Sequence, residues 1–308
     1  MTVKEFIPQY LEFKTKTCKQ TSVAAYALII RDHILPTTGN YQLKDITNKE
    51  AELLKSDCEE KKLSRKTIAD VIVVFKNILR IARFLEVADT KDVSVIWGTR
   101  NEEQGHKIEA YNRGHVGKLV DYLISNPSFA NLGLLLTIYS GMRIGEICAL
   151  QWKNVNLNER VIYVRQTISR AYELSDVIEK GGHTELLITT PKTSSSNREI
   201  PISPKIYKIL KDFNRIGKPE YFVCSGTSKP IEPRTYRNHY KRVLGELGLP
   251  YLKFHGLRHT FATQMLASKA DIKTLSTILG HSDISITLNT YVHPSLDDKM
   301  NAVKKLKF

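Results

Sequence analysis

The chain is poor in cysteine. Its 308 residues include four, Cys18, Cys58, Cys148 and Cys224, far apart and with no CxxC pair. That spacing argues against a disulfide framework and a cysteine-built zinc site, and reads as reduced thiols. Long apolar runs are lacking too. The most apolar stretch, Leu132 to Met142, is interrupted by Gly133, Ser140 and Gly141 and stopped by Arg143. No segment therefore reaches the roughly 18 apolar residues that a membrane span needs. The N-terminus, MTVKEFIPQYLEFKTK, carries charges where a secretion signal needs its apolar centre. A cytoplasmic protein with no membrane partner is expected. Internal repeats and low-complexity segments are absent as well, which argues against solenoids and disordered tails.

What is present is a globular composition and an excess of positive charge. Hydrophobic residues make up 42% of the chain, ordinary for a packed core, and the length suggests two domains at roughly 150 residues each. Lys plus Arg is 46 against 32 for Asp plus Glu, a net charge of +14, which favours a polyanionic partner such as nucleic acid. The excess is uneven. Residues 1–90 hold 15 basic and 12 acidic side chains, whereas residues 192–258 hold 14 and 5. Acidic lipid could attract such a patch, but no long basic amphipathic helix or lipidation signal accompanies it.

Hydrophobic periodicity predicts helices over 2–87. Phe6, Tyr10, Leu11 and Phe13 recur at helical spacing, Thr47 to Glu50 has the form of a capping box, and Ser64 caps a helix built on Ile68, Val71, Ile72, Phe75, Ile78, Leu79, Ala82 and Leu85. Its polar face carries Lys66, Lys76, Arg80 and Arg83, either a solvated surface or one that faces phosphate. Residues 88–108 lose the pattern and read as a linker. Helical patterning resumes at Ala110, and a second, very apolar helix is expected from about Phe129 to Leu150. The period then changes. Val161–Val164, Leu186–Thr190 and Arg198–Ile202 are strand candidates, the last two joined by a turn-rich hairpin that carries Lys192. Residues 171–185 read as an irregular excursion, and helices return after Pro204. The fold class is mainly α with a small β-sheet: a helical domain at 1–87, the linker, and a mixed α+β domain at 109–308.

Four groups of residues could carry chemistry. Arg143 lies in a small-residue break of an apolar helix, where an unpaired charge is costly, and Glu146 is on its face at i+3. In His255-Gly256-Leu257-Arg258-His259, the histidines are four apart, as zinc ligands can be, but the glutamate of HExxH is missing. Arg258 beside them suits an anion. Leu279-Gly280-His281 looks like a helix end capped by glycine, and Tyr291 ends the next helical stripe. Lys192 on its hairpin carries little meaning alone.

Together these groups resemble the tyrosine recombinase, or phage integrase, family. LLLTIYSGMRIGEICALQW resembles the box of the first arginine, Arg143, with Glu146 as its acidic support. TPKTSSSNREIPI resembles the lysine hairpin with Lys192. His255-Gly256-Leu257-Arg258 resembles the HxxR box, Leu279-Gly280-His281 the LGH box, and Tyr291 stands ten residues later at the position of the nucleophile. Single boxes are weak, but five in order are specific. The resemblance covers roughly residues 108–294 and, more loosely, 1–87 as a core-site-binding domain.

The resemblance implies an enzyme that cuts and rejoins duplex DNA through a 3′-phosphotyrosine and a Holliday junction, for integration, excision or inversion of an element of bacterial or phage origin. Tyr291 is the implied nucleophile, Arg143, Arg258 and His281 the donors to the phosphate, Lys192 the general acid, and His255 the group that accepts or shares the tyrosine proton. No metal and no cofactor is implied. The catalytic domain and the N-terminal helices grip specific DNA sites, with Arg234, Arg237, Lys241 and Arg242 as candidate contacts beside those of the N-terminal domain. The tail carries Leu296, Met300, Val303 and Leu306 at helical spacing. It packs on its own domain or, in the family reading, docks on a neighbour to build a homotetramer across two DNA sites from subunits that are monomeric when free. An accessory DNA-bending or directionality factor is a possible further partner. No arm-site-binding domain is visible ahead of residue 1, which favours a simple two-domain recombinase. A type IB topoisomerase, or a DNA-binding regulator on the same fold, are the rival readings. The LGH box and the tail argue against the first, and the complete set of reactive residues against the second.

Overall fold

The structure is a computed structural model that describes residues 1–98, 109–172, 184–190, 197–292, 300 and 303–304. Two compact units divide it: Met1–Glu103 with Arg170–Leu186, and Gln104–Ser169 with Leu187–Phe308.

The first unit is helical, with α1 (Val3–Thr17), α2 (Gln20–Ile29), α3 (Leu35–Thr38), α4 (Asn48–Glu60) and α5 (Arg65–Phe84), and a π turn over Ile30–Ile34 between α2 and α3. The caps read from the sequence are in place. Thr47 and Glu50 form the capping box of α4, and the Ser64 hydroxyl accepts from the Thr67 N–H at the start of α5. The apolar stripe of α5 is buried against Phe6, Ile7 and Tyr10 of α1 and Leu54 of α4. Val93, in the expected linker, packs into the same core.

The second unit opens with α6 (Arg113–Ser125), then α7 (Phe129–Ser140) and α8 (Ile144–Ala149). One helix over 129–150 was expected, and two are found. Gly141, at φ +64°, ends α7 in the left-handed conformation that glycine adopts without strain. The chain then turns through Met142, and α8 restarts with Arg143 at its N-cap.

The strands are β1 (Val155–Asn156), β2 (Val161–Val164), β3 (Thr167–Tyr172), β4 (Thr184–Thr189) and β5 (Arg198–Pro201). A three-stranded sheet runs β1-β2-β5, and β3 pairs with β4. The expected hairpin between the last two strands is therefore not formed among the described residues: β5 pairs antiparallel with β2, with Ile162 opposite Ile200 and Val164 opposite Arg198. Part of the expected excursion is strand, since β3 reaches Tyr172 and β4 starts at Thr184. Tyr221–Cys224 contributes only an isolated bridge, Gln151 to Phe222.

Five helices complete the unit: α9 (Pro204–Asn214), α10 (Pro233–Glu246), α11 (His255–Ala267), α12 (Ile272–Leu279) and α13 (Ile284–Tyr291). Asp271 caps α12 at its start, and Gly280, at φ +68°, caps its end as the sequence predicted. The main core joins Leu132–Leu136 of α7, Ile147 to Leu150, Ile162, Ile200, Tyr236, Tyr240 and Leu257. A smaller cluster of Phe261, Ala262, Leu275 and Leu279 packs beside Tyr291.

Candidate active site

The site assembles where the α7–α8 turn meets the C-terminal end of α12. Arg143 is fixed by its position as helix cap. Its backbone N–H donates to Glu146 Oε2 at 2.8 Å, and its Nη1 donates to Glu146 Oε1 at 2.8 Å. Glu146 is buried and would resist ionisation for that reason. Arg198 first, then Arg143, outweigh burial and hold its carboxyl below the usual carboxylate range.

Arg198 is the residue that sequence reading missed. It is buried, and donates through Nη1 and Nη2 to the two oxygens of Glu146 at 3.0 and 2.9 Å, and through Nε to the Ile278 carbonyl at 2.6 Å. This is the forked geometry that guanidinium makes and lysine does not. A signal was present. Arg198 is in phase with Ile200 and Ile202, at an inward position of β5, so a charge occupies a site the strand period reserves for the core.

Arg258 is 1% exposed. Its Nη1 donates to the Gly141 carbonyl at 3.0 Å and its Nη2 to the Leu279 carbonyl at 2.8 Å. Burial, and then Arg143, push it down to about 9, which leaves it charged at neutral pH. Arg143 Nη2 donates to the Gly280 carbonyl at 3.3 Å. Three successive carbonyls, at 278, 279 and 280, thus each receive a different arginine. They are the end of α12, where the helix dipole is negative.

The histidines and the tyrosine complete the cluster. His281 Nδ1 is 2.8 Å from the Thr287 hydroxyl of α13, and its ring is pushed down to about 4 by burial and by Arg258 and Arg143. His255 and His259 stack edge to face, with ring centroids 4.6 Å apart. The His255 ring still opens to solvent and is held below its ordinary range by lost hydration, then by His259, Arg258 and Arg143. His259 Nδ1 is hydrogen-bonded to Tyr291 Oη at 2.7 Å. Burial raises the Tyr291 phenol, while Arg258 and Arg143 pull the other way.

Arg143, Glu146, His255, Arg258, His281 and Tyr291 are therefore brought together by the fold. Lys192 lies outside the described residues. No group of three or more His, Cys, Asp or Glu suited to a metal ion occurs among the described residues. The candidate DNA contacts are all exposed. On α5, Lys66 and Arg83 are held by Asp70 and Asp92, while Lys76 and Arg80 have no ion pair among the described residues. On α10, Arg242 leans on His239 and Glu246, and Lys241 lies over the Tyr251 ring. Arg234 and Arg237 are exposed on the same helix. In the tail, Met300 and Val303 are 50% and 66% exposed, and Leu296 and Leu306 lie outside the described residues. No helix of the described residues is long and apolar enough to cross a membrane.

A helical unit is followed in the chain by an α/β unit that brings arginines, histidines and a tyrosine together at the end of α12. Residues 115–297 match the model of the phage integrase family, and residues 2–52 match its N-terminal SAM-like domain. The chain belongs to the phage integrase family. It is 30% identical over 228 residues to a "Tyrosine recombinase XerC-like" of Caldanaerobacter subterraneus subsp. tengcongensis, covering 69% of this chain and 57% of that one. It is 26% identical over 189 residues to the transposase of transposon Tn916 from Enterococcus faecalis, covering 56% and 44%. The chain thus spans about half the length of these curated relatives. Among solved structures, a Tn1549 transposon integrase in complex with a circular intermediate DNA superposes with a TM-score of 0.79 at 20% identity over the whole of both chains, a likeness of fold.

Proposed function

We propose that the chain is a site-specific DNA recombinase, acting on duplex DNA through a 3′-phosphotyrosyl intermediate. The observation that carries this reading is the convergence of Arg143, Arg258 and His281 at the end of α12, beside a helix whose tyrosine is already hydrogen-bonded to an imidazole. Phosphodiester transfer needs an oxygen nucleophile, donors for the non-bridging oxygens and a proton for the departing 5′-oxygen. Tyr291 Oη attacks phosphorus and forms the phosphotyrosine, while the P–O5′ bond breaks. Arg143 and Arg258 neutralise the charge that gathers on the phosphoryl oxygens, held in place by Glu146 and the carbonyls of the α12 end. His281 donates to the same group. Lys192 supplies the proton to the 5′-oxygen. In the second half of the reaction a 5′-hydroxyl from the partner duplex attacks the phosphotyrosine and releases Tyr291. The bond energy is kept in the covalent link, so the cycle needs no nucleotide hydrolysis. Two such exchanges, through a Holliday junction, integrate, excise or invert a DNA element.

Four active sites on two duplexes call for a tetramer. The exposed Met300 and Val303 support the docking of the 296–306 tail on a neighbouring subunit over packing on its own domain. The basic side chains of α5 and α10 hold phosphates along the site.

Covalent trapping tests the reading. Wild type and Tyr291→Phe are incubated with nicked DNA from the flanks of the gene and resolved on denaturing gels. An adduct from wild type alone, mapped to Tyr291 by peptide mass, is the expected result. Salt-dependent binding without an adduct on any flanking site would favour a DNA-binding regulator. Steady relaxation of any supercoiled DNA by monomer would favour a topoisomerase.

A further inference from the structure

We infer that His259, not His255, is the group that takes the phenol proton of Tyr291. This rests on the recombinase reading and refines its first step. His255 and His259 are one helical turn apart on α11, so both rings lie on one face. Only the later ring reaches α13: His259 Nδ1 is 2.7 Å from Tyr291 Oη, within the range of a short O–H···N hydrogen bond. The two rings are tilted by 58°, with centroids 5.5 Å apart, an in-plane approach to the nitrogen and not a stack. His255 makes no hydrogen bond to Tyr291 among the described residues. Its ring opens to solvent, which leaves it free to meet phosphate.

The charges around His259 suit an acceptor. Its own helix places His255 and Arg258 beside it, α13 brings Tyr291, and the charge of Arg143 at the α7–α8 turn acts on the same phenol. Burial, and then Arg258, hold His259 below its ordinary range. The ring is neutral at pH 7, and with its hydrogen on Nε2 the Nδ1 lone pair faces the phenol. The proton balance is simple. As the Oη–P bond forms, the Oη–H bond breaks and an Nδ1–H bond forms, giving an imidazolium. The 5′-oxygen leaves with a proton from the general acid. In the return step the imidazolium gives its proton back to the departing phenolate, which resets both groups.

The test compares two phenols at one position. Tyrosine and a difluorotyrosine, whose phenol is more acidic, are placed at residue 291, and single-turnover cleavage of a nicked site is followed. His259→Asn keeps a hydrogen-bonding atom near the Nδ1 position but cannot take the proton. It is expected to slow adduct formation by about 100-fold or more with tyrosine, and difluorotyrosine is expected to recover most of that loss. His255→Asn is expected to show no such recovery. The inference is overturned if His259→Asn cleaves like wild type, if its defect is the same with both phenols, or if the recovery belongs to His255→Asn. Should His259→Asn fail to fold, wild type gives an independent reading. The rate should fall as pH drops through the imidazole range, less steeply with difluorotyrosine, and equal profiles would overturn the inference. Absence of any adduct from wild type would remove the recombinase reading itself, and is distinct from all of these.

Discussion

A carboxylate as buried as Glu146 stays ionised because two guanidinium groups face it, and Arg198 is the larger contributor. Replacing Arg198 by methionine leaves Glu146 with a single, partly exposed partner. Removing one member of a buried pair costs about 3–5 kcal/mol. The expected outcome for Arg198→Met is a stability loss of that order in denaturant titration, with slower adduct formation because Arg143 loses its fixed anchor. The histidines give a pH effect whose sign can be worked out. His255, His259 and His281 are all held below the ordinary 6.5. Between that value and the lower one of the folded state, the unfolded chain binds more protons, so acid favours unfolding. The stabilisation is complete above about pH 6.5 and is lost as pH falls toward 4. Thermal melts at pH 7.5 and pH 5 should show a lower midpoint at pH 5, and an unchanged midpoint would contradict the assignment. At this scale the sequence pointed to residues that the fold brings together, because Arg143, His255, Arg258, His281 and Tyr291 lie in short ordered motifs. It concealed Arg198 and the His259–Tyr291 pairing, which depend on contacts 52 and 32 residues apart in the chain.

Elements were legible where their signals are local. Thr47, Ser64 and Gly280 marked helix ends because capping is satisfied within a few residues. Strand pairing was not legible. β5 finds β2 across more than 30 residues instead of its neighbour β4, and β3 carries no clear alternation. The α7–α8 break was visible as small residues but was read as an irregularity within one helix. It has consequences that can be measured. A Cβ on Gly141 would approach Phe261 Cδ1 to 2.6 Å and Leu279 Cδ2 to 3.0 Å, at a φ that side chains resist. Gly141→Ala is expected to cost about 1–3 kcal/mol from the backbone and overpacking together. It should also reduce cleavage more than DNA binding, since Phe261 and Leu279 belong to the helices that hold Arg258. Denaturant titration and gel-shift assays, run in parallel, separate the two effects.

For the molecule as a whole, a net charge of +14 predicts affinity for DNA that falls steeply with salt. Each phosphate contact contributes a slope of about 0.9 in log K against log salt. Replacing Arg234, Arg237 and Lys241 together by glutamine should lower the slope by up to about three units, while Arg242→Gln changes it less, because Arg242 already leans on Glu246 and His239. Filter binding across a salt series checks this, and an unchanged slope would move the DNA contacts off α10. The three carbonyls at the end of α12 have a further consequence, one of timing. Arg143, Arg198 and Arg258 are all translated before the peptide groups of Ile278, Leu279 and Gly280 that receive them, and Tyr291 comes later still. On the proposed reading, a growing chain therefore carries most of its basic side chains before it carries Tyr291, so the charge that suits DNA precedes the nucleophile.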